Sequence, residues 1–170
     1  MTRYVALLRA VNVGGTGKLP MTELKAMCRA AGFADVETYV ASGNAVFTSD
    51  GEPPAVKLEL ETRLQTFLGK PVGVALRSAA QMQAALQANP FPQHPGNRTV
   101  AIFLDAPPPP DALERAKGLA GEEMRLGDRE IYVFYKDGMG TSKLRIPAAA
   151  QGSARNMNTV AALARMAAKA

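Results

Sequence analysis

The sequence has no tryptophan, one cysteine and one histidine, and aromatic residues make up only 6 % of it. Each scarcity removes a class of chemistry. A single cysteine, Cys28, excludes an intrachain disulfide. It shares a helical apolar stripe with Leu24, Met27 and Ala31, which reads as a core position and not a nucleophile. A single histidine, His94, set among prolines, excludes multi-histidine metal sites and leaves a His-dependent triad one poor candidate. No Gly-x-Ser-x-Gly occurs. No apolar run approaches the roughly 20 residues that span a bilayer. The apolar run after Arg3 is short and broken by Arg9, unlike a signal peptide. The expectation is a cytoplasmic protein with no cofactor and no membrane partner.

Charge is also thinly spread. Net charge is +5, yet no block of five or six basic residues occurs. This balance favours an anionic partner without identifying one. What the chain does have is apolar mass: 47 % of 170 residues, enough to build a core without disulfides or metal.

The richest stretch runs from Tyr4 to Leu24. An apolar strand over residues 3–11 is followed by Asn12-Val13-Gly14-Gly15-Thr16-Gly17-Lys18, and a helix is predicted over 21–31. Pro20 suits its start and Gly32 its exit. Strands are expected near 35–41 and 44–49, joined by the turn Ser42-Gly43-Asn44. Pro53-Pro54 opens a helix to about Leu68 whose apolar stripe is Val56, Leu60, Leu64 and Phe67, with Gly69 ending it. A fourth strand covers 72–76. This βαββαβ order is the ferredoxin-like one.

A short helix over 79–88 and the proline-rich Asn89 to Asn97 segment follow. The pattern then restarts. A strand is expected over 99–105, a helix over 111–119, strands over 123–126 and 130–136, a glycine-rich segment over 138–146, and a last helix over 153–168. The predicted fold is therefore α+β, with two tandem ferredoxin-like units, the second lacking its last strand. Residues 1–78 form the first half, 79–98 a helix and linker, and 99–170 the second half. Aligning Val5-Ala6-Leu7 with Val100-Ala101-Ile102 sets Arg9 against Leu104, so the first half is expected to carry the site.

Asn12 to Leu19 resembles a nucleotide P-loop but lacks its first glycine and its terminal hydroxyl. A weaker role survives, in which consecutive N–H groups cradle an anion with Lys18 and Arg9 beside them. Arg9 is the sharper signal, because a guanidinium on an apolar strand face requires a carboxylate, carbonyls or a ligand. Ser142-Lys143 and Arg155-Asn156-Met157-Asn158-Thr159 are the polar clusters of the second half. Arg155 is expected at a helix N-terminus, where the dipole opposes a cation unless an anion faces it. Ser153 or Asn156 suits the cap of that helix. Glu122-Glu123 reads as exposed.

RNA-recognition domains share the βαββαβ order but carry aromatics on strands one and three. Tyr4 and Phe47 supply only part of that platform, with Asn44 where an aromatic is required.

Leu7-Leu8-Arg9-Ala10-Val11-Asn12-Val13-Gly14-Gly15, Ser42-Gly43-Asn44, Asn89-Pro90-Phe91, Ser142-Lys143-Leu144 and Arg155-Asn156-Met157-Asn158-Thr159 occur in that order. Together they resemble the bacterial family known as domain of unknown function 1697. Ala10 stands where that family usually has glycine, and Met157 where it usually has tryptophan. The resemblance implies two ferredoxin-like units and no activity. It marks Arg9, Asn12, Gly14, Gly15, Ser42, Gly43, Asn44, Ser142, Lys143, Arg155 and Asn156 as motif positions without a role. The expected function is binding of a small anionic or phosphorylated ligand at the first strand-loop-helix turn. A nucleic-acid-binding module and an enzyme of unknown reaction type are the alternatives.

Overall fold

A computed structural model describes residues 1–10, 18–40 and 42–169. Two compact units are present: Met1–Met82 with Leu163–Ala170, and Gln83–Ala162.

The first unit follows the order β1 (Thr2–Leu8), α1 (Met21–Ala30), β2 (Ala34–Thr38), β3 (Asn44–Ser49), α2 (Pro53–Leu68) and β4 (Val74–Ser78). Its sheet is antiparallel throughout, in the order β2-β3-β1-β4. The central strand β1 is apolar on both faces because both are buried. Tyr4, Ala6 and Leu8 join Leu24, Met27 and Cys28 of α1 and Val56, Leu60 and Leu64 of α2 in one core. Val5 and Leu7, on the other face, are equally inaccessible. Burying each of the three α2 side chains contributes about 1.5–3 kcal/mol. The expected stripe stops there, since Phe67 remains 46 % exposed. Gly69 ends α2 with φ 74°, a conformation that a Cβ disfavours.

The outer edge of β4 is sealed by side chains of α2. Glu61 Oε2 accepts the Val74 N–H at 3.0 Å, and Lys57 Nζ donates to the Val74 carbonyl at 2.9 Å. Polar groups that would otherwise invite another strand are thereby occupied.

The helix α3 (Ala79–Gln87) leads to the second unit, which contains β5 (Thr99–Phe103), β6 (Glu123–Leu126), β7 (Glu130–Phe134) and β8 (Ser153–Asn156) before α4 (Met157–Ala168). Its strands are ordered β6-β7-β5-β8, again antiparallel. Two expectations are corrected here. The last strand is present: Ser153 to Asn156, taken from sequence for the start of a helix, pair with β5. The helix expected over 111–119 is absent and the segment turns repeatedly. Lys117 instead exchanges two backbone hydrogen bonds of 2.8 Å with Arg145, and Gly118 follows with φ +75°. Val100, Ile102, Ile131 and Val133 are therefore covered by Leu113, Leu144, Ile146 and Ala149 from connecting segments, where the first unit uses helices. The proline-rich segment is also packed: Phe91 is buried, and His94 stacks on Phe134 at a centroid distance of 3.7 Å.

The ladders correct the internal alignment by one residue. Val5 pairs with Val46 and Arg77 in the first sheet; Ala101 pairs with Tyr132 and Arg155 in the second. The Leu8 N–H donates to the Gly43 carbonyl, as the Leu104 N–H donates to that of Arg129. The counterpart of Val5 is thus Ala101, not Val100. That of Arg9 is Asp105, not Leu104, whose side chain belongs to the covered core face. The strand-matching failed because runs apolar on both faces lack the alternation that would fix their register.

Candidate functional site

The first sheet brings part of the predicted set together at one end. Leu7 is paired with Asn44, and the next residues along β1 meet the Ser42–Gly43 turn on one side and Gly73 on the other. The Leu8 N–H donates to Gly43, and the Arg9 N–H to Gly73, both at 2.9 Å. The antiparallel pairing of β1 with β3 places the turn where β1 ends. Arg9, Ser42, Gly43 and Asn44 therefore share this location. Asn12, Gly14 and Gly15 lie outside the described residues. Lys18 is exposed just before α1.

Arg9 is half-buried. A Cβ added to Gly73 would stand 4.0 Å from both Cβ and Cδ of Arg9, so the arginine stem lies against the glycine. Asn44 is fully buried, and its amide nitrogen donates to the Tyr39 carbonyl at 2.7 Å and to Ser42 Oγ at 3.0 Å. The Tyr39 N–H returns a bond to the Asn44 carbonyl. Asn44 stands where an aromatic RNA platform would have a ring, and here its job is to shape the turn.

Backbone strain concentrates at the same end. Ala10 and Val40 both have φ 50°, and Gly43 has φ 90°. Among the described residues only Asp35 adds another non-glycine residue with positive φ. A β-branched residue in that region is an outlier costing on the order of 1–3 kcal/mol, and such strain gathers at functional sites.

The remaining predicted residues lie elsewhere in the chain. Arg155 is on strand β8, directly before Asn156, the residue that caps α4. It is 6 % exposed, burial pushes its guanidinium down to about 10, and Nη1 donates to the Ala154 carbonyl at 2.8 Å. Asn156 caps α4, its Oδ1 accepting the Thr159 N–H at 2.9 Å. Ser142 and Lys143 line a cleft of the second unit.

Two residues were missed from sequence. Arg77 is 1 % exposed on β4, and its Nη1 donates to the Leu76 carbonyl at 3.0 Å. The signal used for Arg9, an arginine in an apolar strand, passed over Arg77 because the fourth strand was expected to end at residue 76, whereas β4 runs from Val74 to Ser78. Glu122, taken for an exposed residue, accepts the Ser142 hydroxyl hydrogen bond at 2.6 Å. No sequence spacing links those two.

The fold has a solved counterpart. A conserved bacterial protein from Streptococcus pneumoniae matches 98 % of this chain over 98 % of its own, with a TM-score of 0.79 and 26 % sequence identity. The family model described as protein of unknown function (DUF1697) matches residues 1–132, and the chain belongs to that family. Among proteins with curated descriptions none matches.

Proposed function

We propose that the protein binds a small anionic or phosphorylated ligand at the end of its first sheet, where Arg9 and the Ser42–Asn44 turn converge. The observation that carries this reading is that convergence: a half-buried arginine, a turn braced by a buried amide, and two strained non-glycine residues within one sheet end. Arg9 supplies charge and a planar donor fork suited to phosphate or carboxylate. The corrected register supports the same location, because the second unit has Asp105 at the matching position and so the opposite charge. Lys18 and the glycine-rich Asn12 to Gly17 stretch are read as further contributors. We also read the two units as ferredoxin-like modules descended from an internal duplication, working in the cytoplasm. The shared strand order supports the duplication.

A nucleic-acid partner is the second reading. It loses its usual form here, because Tyr4 and Phe47 point into the core beneath the helices. Val5, Leu7 and Val46 on the opposite face are buried as well, so the first sheet offers bases no open stacking surface.

Phosphate, sulfate and nucleotides are expected to raise the melting temperature. A ligand at 100 times its Kd adds about 2.7 kcal/mol of stability. Arg9→Leu should abolish the rise while leaving a cooperative melt. The absence of any shift across anionic metabolites would overturn the reading, as would a shift unchanged in Arg9→Leu.

A further inference from the structure

The second unit contains a cleft of about 380 Å³ that the first-sheet site does not use. Tyr135 is a buried residue in its wall, Glu122 and Ser142 are half-buried, and Lys136 and Lys143 are exposed at its margin. Its frame is rigid. Lys117 and Arg145 are joined by two backbone hydrogen bonds, and the next residue, Gly118, approaches so closely that an added Cβ would stand 2.3 Å from the Lys143 carbonyl oxygen.

The hydrogen-bond directions in the cleft are determined. The Leu144 N–H donates to Ser142 Oγ at 3.2 Å, so that oxygen already accepts one bond, and the hydroxyl proton goes to Glu122 Oε2 at 2.6 Å. The Ala120 N–H donates to Glu122 Oε1, also at 2.6 Å. These bonds, the serine first, hold the Glu122 carboxyl below its usual range. Burial, with the Glu122 charge second, pushes the Tyr135 phenol up, so it keeps its proton. An ionised carboxylate is an acceptor only, with further lone-pair positions on each oxygen.

This arrangement disfavours a simple anion, which would meet Glu122, and a simple cation, which would meet the two lysines. Glu122 and Asp137 against Lys136 and Lys143 give two charges of each sign around one cleft. We propose that the cleft binds a small zwitterion of amino-acid to dipeptide size, its ammonium group on Glu122 and its carboxylate toward Lys136 and Lys143. Ser142 and the Ala120 N–H act as positioning groups, each holding one oxygen of the Glu122 carboxylate and leaving its other lone-pair positions for the ammonium group.

The test is an amide NMR titration of the full chain with glycylglycine and with the individual amino acids. Methylamine and acetate serve as the two half-ligands. The expected result is saturable shifts confined to the Gly118–Glu122, Tyr135–Gly138 and Thr141–Lys143 segments. Binding should weaken at least about tenfold for each half-ligand and for Glu122→Gln, whose spectrum should otherwise keep the native dispersion. Ser142→Ala should weaken binding without abolishing it. The proposal is overturned if no zwitterion shifts these amides, if methylamine or acetate alone binds as well as glycylglycine, or if Glu122→Gln binds unchanged. Arg9→Leu should leave the titration intact, which separates this cleft from the first-sheet site.

Discussion

Arg77 and Arg155 occupy the same rung of their respective sheets. Arg77 faces Val5 across the first ladder and Arg155 faces Ala101 across the second, each on the last strand of its unit. Each also donates through Nη1 to the carbonyl of the preceding residue. Matching position and matching conformation make them a structural pair, although the two sequences around them, Ala75-Leu76-Arg77-Ser78 and Ser153-Ala154-Arg155-Asn156, share little else.

The two should therefore respond alike to substitution. Arg77→Met and Arg155→Met keep the apolar stem but strip donors from a buried and a partly buried carbonyl, which costs on the order of 1–3 kcal/mol. Lysine should not restore the loss, because an ammonium cannot reproduce the planar fork. Urea unfolding of the four variants checks this, and a neutral effect at either position would count against the shared role.

Asn44→Ala removes both side-chain bonds of the turn, to the Tyr39 carbonyl and to Ser42 Oγ. The expected loss is about 1–3 kcal/mol, measured by urea unfolding. If the turn forms part of the anion site, this variant should also lose the melting-temperature response to phosphate. Asn156→Ala, which removes only the α4 cap, should cost about 1 kcal/mol and keep that response.

Cys28 predicts an alkaline dependence. Burial pushes its thiol from 9.0 up to about 12. The native state keeps its proton over a range in which the unfolded chain releases it. The stability this contributes is complete below pH 9 and is lost as pH rises toward about 12. The slope approaches 1.4 kcal/mol per pH unit at most. Cys28→Ala should flatten the alkaline stability profile relative to wild type, and thiol reagents should modify the native wild-type protein only at the rate of opening.

Glu61→Ala should cost about 1 kcal/mol by freeing the Val74 N–H, and it unseals the β4 edge. Urea unfolding gives the first effect. Light scattering at raised concentration should detect the second as increased self-association.

The sequence made the first unit legible because its signals agree with one another. In α2, prolines at the start, a period-3.6 stripe and Gly69 at the end define one helix. Strand β8 was hidden because Ser153 and Asn156 are good helix caps, and Asn156 does cap α4 while also closing the strand. Nothing local distinguishes a residue that does both from one that only caps. The segment after Pro110 looked helical because the hydrogen bonds from Lys117 to Arg145, which replace the helix, join residues far apart in sequence. For the site, Arg9 and Ser42–Asn44 were found by residue type. Their meeting at one sheet end awaited strand direction, which only the pairing supplies. Glu122 escaped because its partner Ser142 is twenty residues on and no periodicity connects them.

The burial of β1, β5 and β7 has a further consequence. Strands packed this tightly tolerate few new side chains, so their central residues are poor material for evolving new specificity. The exposed positions of the connections carry less of this restriction, although Leu113, Leu144 and Ile146 of the second unit's connections belong to its core. Changes at those exposed positions disturb the scaffold less than changes on the rungs that hold Arg77 and Arg155.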